Sequence, residues 1–248
     1  MCTVSWFTTP TGYELFFNRD EQRSRSEALA PQAFQENNVH YIMPIDPVGG
    51  GSWISLNDHG ISVCLLNYYQ GLIPQKNALS RGLLIKKLAS CEDIKSIHDT
   101  LSTIELSHFS SFTLLIFHTT QSTKKNNIQG FRWDGEIFNT INPSSPMISS
   151  SIDADNVIKH RLSIYKELTH SGINRHTLNQ FHQYHHTKLG HRSPCMHRQD
   201  AQTVSFTHII VDNKNNTLRY FSGSPCQTKK YLAYDVPFHL FTTTHSYS

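Results

Sequence analysis

The first twenty-one residues of this 248-residue chain decide the fold that we expect. They read MCTVSWFTT at residues 1–9, PTG at 10–12, YELFF at 13–17 and NRDE at 18–21. The two flanking runs are rich in β-branched and aromatic residues, and turn-forming residues separate them, which is typical of a β-hairpin. Antiparallel pairing brings the start of the first strand beside the end of the second. The sequence therefore predicts that Cys2 lies next to Asn18, Arg19 and Asp20.

A thiol beside a guanidinium and a carboxylate is the outline of a reaction centre. If Met1 is removed, Cys2 carries both a thiol, with an ordinary pKa of about 8.5, and an α-amine, with one of about 7.7–8.0. Such an amine can take the proton from its own thiol, as in other N-terminal nucleophiles. We expect Arg19 to favour the thiolate and Asp20 to orient the amine. The alternative is an ordinary near-terminal cysteine and a solvated, charged turn.

The rest of the chain alternates blocks of strands with pairs of helices. Strand patterns are predicted within residues 39–68, 112–141 and 204–236, and helical patterns within 78–104, 155–169 and 174–188. Polar residues 19–48 predict a long loop over the site, broken by a short strand at 39–43. Without strict βαβ alternation, this order predicts an α+β fold in which helices cover two packed antiparallel sheets. We expect one domain over residues 1–248.

Composition excludes several classes of function. The hydrophobic content of 38% and charged content of 17% suit a soluble globular core. A net charge of +3, with scattered lysines and arginines, does not favour nucleic-acid binding. Five cysteines without a CxxC pair indicate a reducing compartment. With no leader pattern or apolar span, we expect a cytoplasmic protein without stable membrane insertion. The sequence has no heptad pattern and no exposed apolar stripe that would predict a dimer.

Further motifs extend along nearly the whole chain. They are Met1-Cys2, NRDE at 18–21, GGGSWISLN at 49–57, LLNY at 65–68, CMHR at 195–198, DA at 200–201 and TVS at 203–205. Together they resemble the NRDE-signature family, which is also called the transport and Golgi organisation family. That family is similar to the N-terminal-nucleophile hydrolases, especially the Cys-dependent bile-salt hydrolase and penicillin acylase group. The resemblance implies a four-layer αββα sandwich.

The resemblance also implies further site residues. Asn67 ends a strand where, in the bile-salt-hydrolase relatives, an asparagine donates to the oxyanion; a strand-end cap is the alternative. Ser150 stands where the family tends to carry an asparagine that helps to hold the substrate, and Val204 where many members carry an arginine. Asn18, Trp53 and Ser150 are predicted to contact the substrate. An enzyme of this kind cleaves or transfers an acyl group at a small amide C–N bond and requires no cofactor.

A His-rich stretch is the rival site in this chain of 16 histidines. His182, His185 and His186 have the spacing of one helix face. Cys195 and His197 follow shortly after them. Imidazole and thiol groups bind transition metals and haem iron, and some members of the resembled family are implicated in moving haem. The alternative function is therefore a non-catalytic haem-binding or haem-trafficking protein, and the plainest interpretation is an exposed helix that happens to be rich in histidine.

Overall fold

The predicted N-terminal hairpin forms, with Cys2 opposite Arg19 and Thr9 opposite Gly12. The structure, a computed structural model, describes residues 1–72, 78–119, 128–214 and 216–237. Its strands are β1 (Cys2–Thr9), β2 (Gly12–Gln22), β3 (Leu29–Glu36), β4 (Val39–Ile45), β5 (Ile54–Asn57), β6 (Ser62–Asn67), β7 (Phe112–Phe117), β8 (Ile128–Trp133), β9 (Phe138–Ile141), β10 (Met147–Ser149), β11 (Ala201–Val211), β12 (Asn216–Ser222) and β13 (Leu232–Val236). Its helices are α1 (Gly82–Ala89), α2 (Ile94–Thr103), α3 (Ala154–Leu168) and α4 (Arg175–Gln183), with a 3₁₀ turn at Leu106–His108.

These strands form two sheets in which every neighbouring pair is antiparallel. The first sheet has the order β10-β1-β2-β11-β12-β13, so the N-terminal hairpin lies near its centre. The second has the order β3-β4-β5-β6-β7-β8-β9 and is a meander of sequential neighbours. Antiparallel neighbours need no crossover connection, and between β6 and β7 the connection contains α1 and α2.

The two sheets pack face to face, and helices cover both outer sides. The core between the sheets includes Val4, Leu15, Phe17, Leu56 and Phe117. α1 and α2 bury their apolar faces against the outer side of the second sheet, and α3 and α4 against the outer side of the first. The predicted four-layer αββα architecture is confirmed. None of the helices in the described parts of the chain is both long and apolar enough to cross a membrane.

The two-residue period of β2 sends neighbouring side chains into different layers. Leu15 and Phe17 belong to the core between the sheets, whereas Phe16 belongs to the core beneath α3 and α4. Continuing this alternation, Arg19 shares the inter-sheet face with Phe17, and Asp20 shares the helix-facing side with Phe16. The charged end of β2 is therefore divided between two layers.

The long loop predicted over residues 19–48 is wrong. β2 continues through the charged residues to Gln22, and β3 pairs with β4 as a second hairpin. Ion pairing lets the charged end of β2 stay buried, which hydrophobic alternation does not reveal. β3 is an edge strand with mostly exposed side chains, so its sequence resembles a loop. The polar turn predicted at residues 121–127 lies outside the described residues.

The helix predicted over residues 174–188 is shorter than expected. It ends at Gln183, and Tyr184 has the extended torsions φ −63° and ψ 124°. The Tyr184 carbonyl accepts a hydrogen bond from the backbone N–H of Cys195 at 3.0 Å, so the chain turns back here instead of continuing as a helix. His185 and His186 lie beyond the helix end. The prediction that three histidines share one helix face is therefore wrong.

Candidate active site

Cys2 begins β1 and lies between the two strands that flank it. It pairs with Arg19 of β2 on one side and with Ser149 of β10 on the other. Its side chain is buried in the core between the sheets, in the same cluster as Val4 and Trp53. Its backbone nitrogen donates a hydrogen bond to Ser149 Oγ at 3.1 Å. The hairpin thus fixes the position of the thiol from both sides.

The Arg19 guanidinium is buried with its charge compensated on three sides. Its carbon Cζ lies 4.4 Å from the centre of the Trp53 ring. Its Nη2 is 3.2 Å from Glu21 Oε2 and 3.8 Å from Asp46 Oδ2. A guanidinium at this depth needs such partners, because removing an unpaired charge from water costs several kcal/mol. Arg19 therefore has one fixed position beside Cys2.

The environment of the Cys2 thiol has opposing effects on its pKa. Burial raises the pKa of the Cys2 thiol and is the largest cause. The positive charges of the terminal amine and of Arg19 lower it, and Asp20 raises it. The net direction is upward, so the resting group is the neutral thiol. Its activation requires a base close by, because the thiolate is the nucleophile.

Asn67 and Tyr69 connect the second sheet to the Met1 amine, which precedes Cys2. Asn67 is the last residue of β6, and its Nδ2 donates a hydrogen bond to Tyr69 Oη at 2.9 Å. The same Oη lies 3.3 Å from the nitrogen of Met1, which donates to it. Asn67 thus ends its strand as predicted, and its contact with an oxyanion stays a prediction. Tyr69 is an addition that the sequence pattern did not single out.

The Asp20 side chain lies on the other side of the first sheet. Its Oδ2 is 3.1 Å from Arg161 Nη2, and its Oδ1 accepts a hydrogen bond from Thr203 Oγ1 at 2.6 Å. Arg161 of α3 also donates to Thr3 Oγ1, and both partners of the ion pair are fully buried. The Met1 amine contacts the backbone carbonyl of Asp20 at 3.3 Å instead of its carboxylate. The predicted partner of the Asp20 side chain is the amine of Cys2 after removal of Met1, so that contact stays a prediction.

Asn18 also points toward the helices. Its Nδ2 donates to the carbonyls of His182 and Pro194, both at 2.9 Å, and the side chain is fully buried. It connects β2 to the end of α4 and to the loop that follows. Its predicted role as a substrate contact is therefore not supported by its position, because the alternation of β2 turns it away from Cys2.

The remaining predicted substrate contacts stay close to Cys2. The Trp53 Nε1–H is buried and has no hydrogen-bond partner among the described residues, which leaves a donor for a ligand. Ser150 Oγ lies 2.8 Å from Met1 Sδ and donates to the Ile152 carbonyl at 2.6 Å. Ser150 thus contacts the residue that precedes the thiol, while its neighbour Ser149 contacts the Cys2 nitrogen.

A cleft opens beside Asn67 and Ser149. Its volume is about 220 Å³. Its wall includes apolar side chains, among them Met147 and Ile158, and one cation, Arg132. The Arg132 guanidinium lies over the Tyr68 ring at 4.4 Å, so the cleft combines apolar surface with a held positive charge.

The predicted haem ligands divide into two groups. His182 is fully buried, and its Nε2 lies 2.8 Å from Ser5 Oγ under the first sheet. His186 Nδ1 accepts hydrogen bonds from the backbone of its own loop. The other three lie together, since the His185 and His197 rings are 4.5 Å apart and His185 Nδ1 is 3.1 Å from the Cys195 carbonyl. The five side chains do not form one ligand set.

Sequence reasoning missed several residues around the predicted site. They are Tyr69, Ser149, Arg161 and, in the His-rich region, Cys226, whose Sγ lies 3.1 Å from His197 Nε2. Ser149 could have been predicted from the sequence, because pairing of β10 with β1 places it opposite Cys2. For Arg161 and Cys226 the chain offers no local signal, since their partners are far away in sequence.

Two buried imidazoles make the fold sensitive to acid. Burial lowers the pKa of His182 well below its ordinary value, and the charges of His208 and Arg161 lower it further. Burial also lowers the pKa of His208, an effect that its contact with Glu14 opposes. The lowering is strong for His182, whose imidazole is therefore neutral in the folded protein, and Glu14 limits it for His208. In the unfolded chain both imidazoles take up protons as the pH falls through about 6.5.

We therefore expect stability to decrease as the pH falls below about 6.5, by up to about 1.4 kcal/mol per pH unit for His182 and by less for His208. The unfolded state binds more protons there, which favours unfolding. Urea unfolding at pH 7.5, 6.5 and 5.5 measures this slope. His182→Gln should reduce it, whereas His98→Gln, at an exposed helix position, should leave it unchanged. Equal slopes for the His182 variant and the unaltered protein would contradict the prediction.

Comparison with known proteins agrees with this architecture. The chain matches the N-terminal-nucleophile hydrolase fold in the C2A mutant of conjugated bile acid hydrolase from Clostridium perfringens, with a TM-score of 0.55 and 11% identity over 95% of this chain and 92% of that one. It also matches the N-acylethanolamine-hydrolyzing acid amidase ortholog of Caenorhabditis elegans, with a TM-score of 0.56 and 11% identity over 85% and 92% of the two chains. At these identities the similarity shows a shared fold.

The sequence itself identifies the family more closely. No curated protein sequence matches the chain. The family described as Transport and Golgi organisation 2 matches residues 1–228, which include Cys2, the NRDE segment and the CMHR segment. The resemblance predicted from these motifs is confirmed, and the chain belongs to the Transport and Golgi organisation 2 family.

Proposed function

We propose that this protein cleaves or transfers the acyl group of a small amide, with Cys2 as the nucleophile. The observation that carries the proposal is the position of the Cys2 thiol. It is buried at the start of β1, opposite Arg19, and the preceding residue Met1 contacts the polar pair of Asn67 and Tyr69 through its nitrogen. A thiol that served only to fill the core would not need charged and amide groups around it.

In the proposed reaction Met1 is first removed, which leaves the α-amine on Cys2. The amine takes the proton of the thiol, and the sulfur attacks the carbonyl carbon of the substrate. Asn67 donates a hydrogen bond to the oxyanion that forms. The C–N bond then breaks, and the leaving nitrogen receives the proton held by the amine. Water, or an acceptor amine in a transferase, releases the acyl group from the thioester.

The contacts of Met1 support this sequence of events. Its side chain lies in a small apolar cluster with Met196 and Ala201, and Ser150 contacts its sulfur. This cluster is separate from the inter-sheet core that holds the Cys2 thiol, so removal of Met1 exposes the new amine and leaves the surroundings of the thiol in place. The nitrogen that becomes the free amine is already held by Ser149 Oγ at 3.1 Å. The cleavage thus supplies the base, on the same residue as the thiol.

The two structural neighbours support the same class of reaction. One is named as a hydrolase of conjugated bile acids and the other as an amidase that hydrolyses N-acylethanolamines. The 220 Å³ cleft beside Asn67 limits the substrate to a small group on this side, and its mixed apolar and cationic wall favours an amphipathic one. We propose a small N-acyl amide with an apolar acyl group as the substrate class.

The experiment is an intact-mass and turnover screen with a panel of small N-acyl amides. We expect amine release together with a transient acyl adduct on the N-terminal peptide, and that peptide should lack Met1. Cys91→Ala is the control variant, because Cys91 is buried near α2, away from the first sheet. The proposal is wrong if Met1 is retained throughout, or if no amide in the panel is turned over.

Haem carriage stays a prediction of the sequence. Its five candidate ligands do not form one set, because His182 is engaged with Ser5 in the core, away from His185, Cys195 and His197. Haemin titration followed at the Soret band tests it, and the amide screen does not depend on the result.

A further inference from the structure

Two thiols and one imidazole converge at a place distinct from Cys2, where the loop after α4 meets the turn after β12. Cys195 Sγ, His197 Nε2 and Cys226 Sγ all lie within 4.8 Å of one another. His197 Nε2 is 3.8 Å from Cys195 Sγ and 3.1 Å from Cys226 Sγ. We propose that these three side chains bind a thiophilic divalent metal ion, of which Zn²⁺ is the first candidate.

The distances fit a metal site. A tetrahedral Zn²⁺ ion binds sulfur at about 2.3 Å and imidazole nitrogen at about 2.0 Å, which sets sulfur and nitrogen about 3.6 Å apart and two sulfurs about 3.8 Å apart. The observed separations of 3.1 Å and 3.8 Å lie on either side of the first value. Small side-chain rotations therefore suffice to centre an ion among the three ligand atoms.

The charges also fit. Two thiolates and one neutral imidazole balance the two positive charges of the ion, so the bound site is neutral overall. This ligand set, with soft sulfur and one nitrogen, selects against Mg²⁺ and Ca²⁺, which prefer oxygen.

The two backbone segments that carry the ligands both form hydrogen bonds with Thr203 of the first sheet. The Met196 nitrogen donates to Thr203 Oγ1 at 2.8 Å, and the Thr203 nitrogen donates to the Met196 carbonyl at 2.8 Å. Ser224 Oγ donates to the Thr203 carbonyl at 2.7 Å. Cys195 and Cys226 are each within two residues of these contacts. The ligands are thus held in place before an ion arrives, which lowers the entropic cost of binding.

The imidazole of His185 packs against the loop that carries Cys195 and His197. His185 Nδ1 lies 3.1 Å from the Cys195 carbonyl, and its ring packs 4.5 Å from that of His197. Gly190 makes room for this ring, because a β-carbon there would come within 2.5 Å of His185 Cε1. Contacts of this kind fix the orientation of metal ligands.

The site has a buried and an open side. Cys195 is fully buried, His197 is partly exposed and Cys226 is exposed. An ion can therefore enter from solvent at the Cys226 side, and the three protein ligands leave a fourth position for water or another small ligand. Sites with three protein ligands keep such an open position.

The test uses the full-length, untagged protein in its reduced, metal-free form and titrates it with Co²⁺, a spectroscopic substitute for Zn²⁺. We expect one Co²⁺ per chain, with thiolate-to-cobalt absorption in the near ultraviolet and the visible bands of a tetrahedral site. Zn²⁺ should displace the cobalt. Cys226→Ala is expected to weaken binding by about 100-fold or more, since even the loss of an outer contact costs about 10–100-fold.

Two control variants separate this site from the other thiols. Cys91→Ala and Cys2→Ala should both keep the cobalt spectrum, and the second also makes the result independent of the proposed amide chemistry. The proposal is overturned if the bands survive Cys226→Ala, if they vanish in Cys2→Ala, or if no saturable binding occurs. It is equally overturned if air joins Cys195 to Cys226 in a disulfide as rapidly with Zn²⁺ as without it.

Discussion

Replacement of Cys2 by alanine is expected to lower kcat/KM for amide cleavage by about 10⁴-fold or more, because the variant has no atom that can form the thioester. The measurement uses the amide with the highest turnover in the substrate screen. The same assay across pH should show a rate that rises with pH in the neutral range. The reason is that the α-amine of Cys2, the proposed base, must be unprotonated, and such an amine has an ordinary pKa of about 7.7–8.0.

Two further variants define what this loss means. Cys2→Ser should keep a small residual rate, since a hydroxyl in the same place is a weaker nucleophile that still reaches the substrate. Cys91→Ala should retain the full rate, because this thiol is buried on the outer side of the second sheet. If Cys2→Ala keeps more than about a tenth of the rate, another group performs the chemistry and the proposed mechanism fails.

The second large effect concerns stability. Arg161→Met is expected to lower the free energy of unfolding by about 3–5 kcal/mol, because it leaves the Asp20 carboxylate buried without its countercharge. Arg161 is fully buried and bonds to Thr3, Asp20 and the Arg192 carbonyl, so one side chain joins α3 to both strands of the hairpin. Urea unfolding of both proteins at pH 7.5 measures the difference.

A matched substitution shows whether burial is the cause. Arg192→Met removes an ion pair with Asp153 in which both side chains are about one-third exposed, at 32% and 33%, and it should cost about 1 kcal/mol or less. The double variant Asp20→Asn with Arg161→Met should be more stable than the sum of the single losses predicts, since neither charge then stays unpaired. A loss below about 1 kcal/mol for Arg161→Met would refute the argument.

Much of the architecture was predictable because it follows from local patterns. The hairpin of β1 and β2, the helices α1 and α2 and the strand β7 all have clear two-residue or helical periods, and the structure contains them. β3 escaped prediction because an edge strand exposes most of its side chains. The end of α4 escaped it because a hydrogen bond to Cys195, eleven residues beyond Tyr184, decides where the chain turns.

The candidate site was predictable only in part, for a related reason. Register follows from the hairpin alone, and it correctly placed Cys2 opposite Arg19. The direction in which Asp20 points also follows from the period of the strand, yet its partner Arg161 is 141 residues away and leaves no trace in the local sequence. The family motifs point to candidate site residues, and the alternation of β2 decides on which side of the sheet each side chain lies.

The alternation at the end of β2 has a consequence for inherited variation in this protein. Arg19 lies in the space between the sheets, while Asn18 and Asp20 connect the first sheet to α3 and α4. Substitutions at Arg19 should therefore reduce the proposed turnover more than they reduce the amount of folded protein, because its partners Glu21 and Asp46 are partly exposed. Substitutions at Asn18 or Asp20 should reduce how much protein a cell retains, so three consecutive codons report on two unrelated defects.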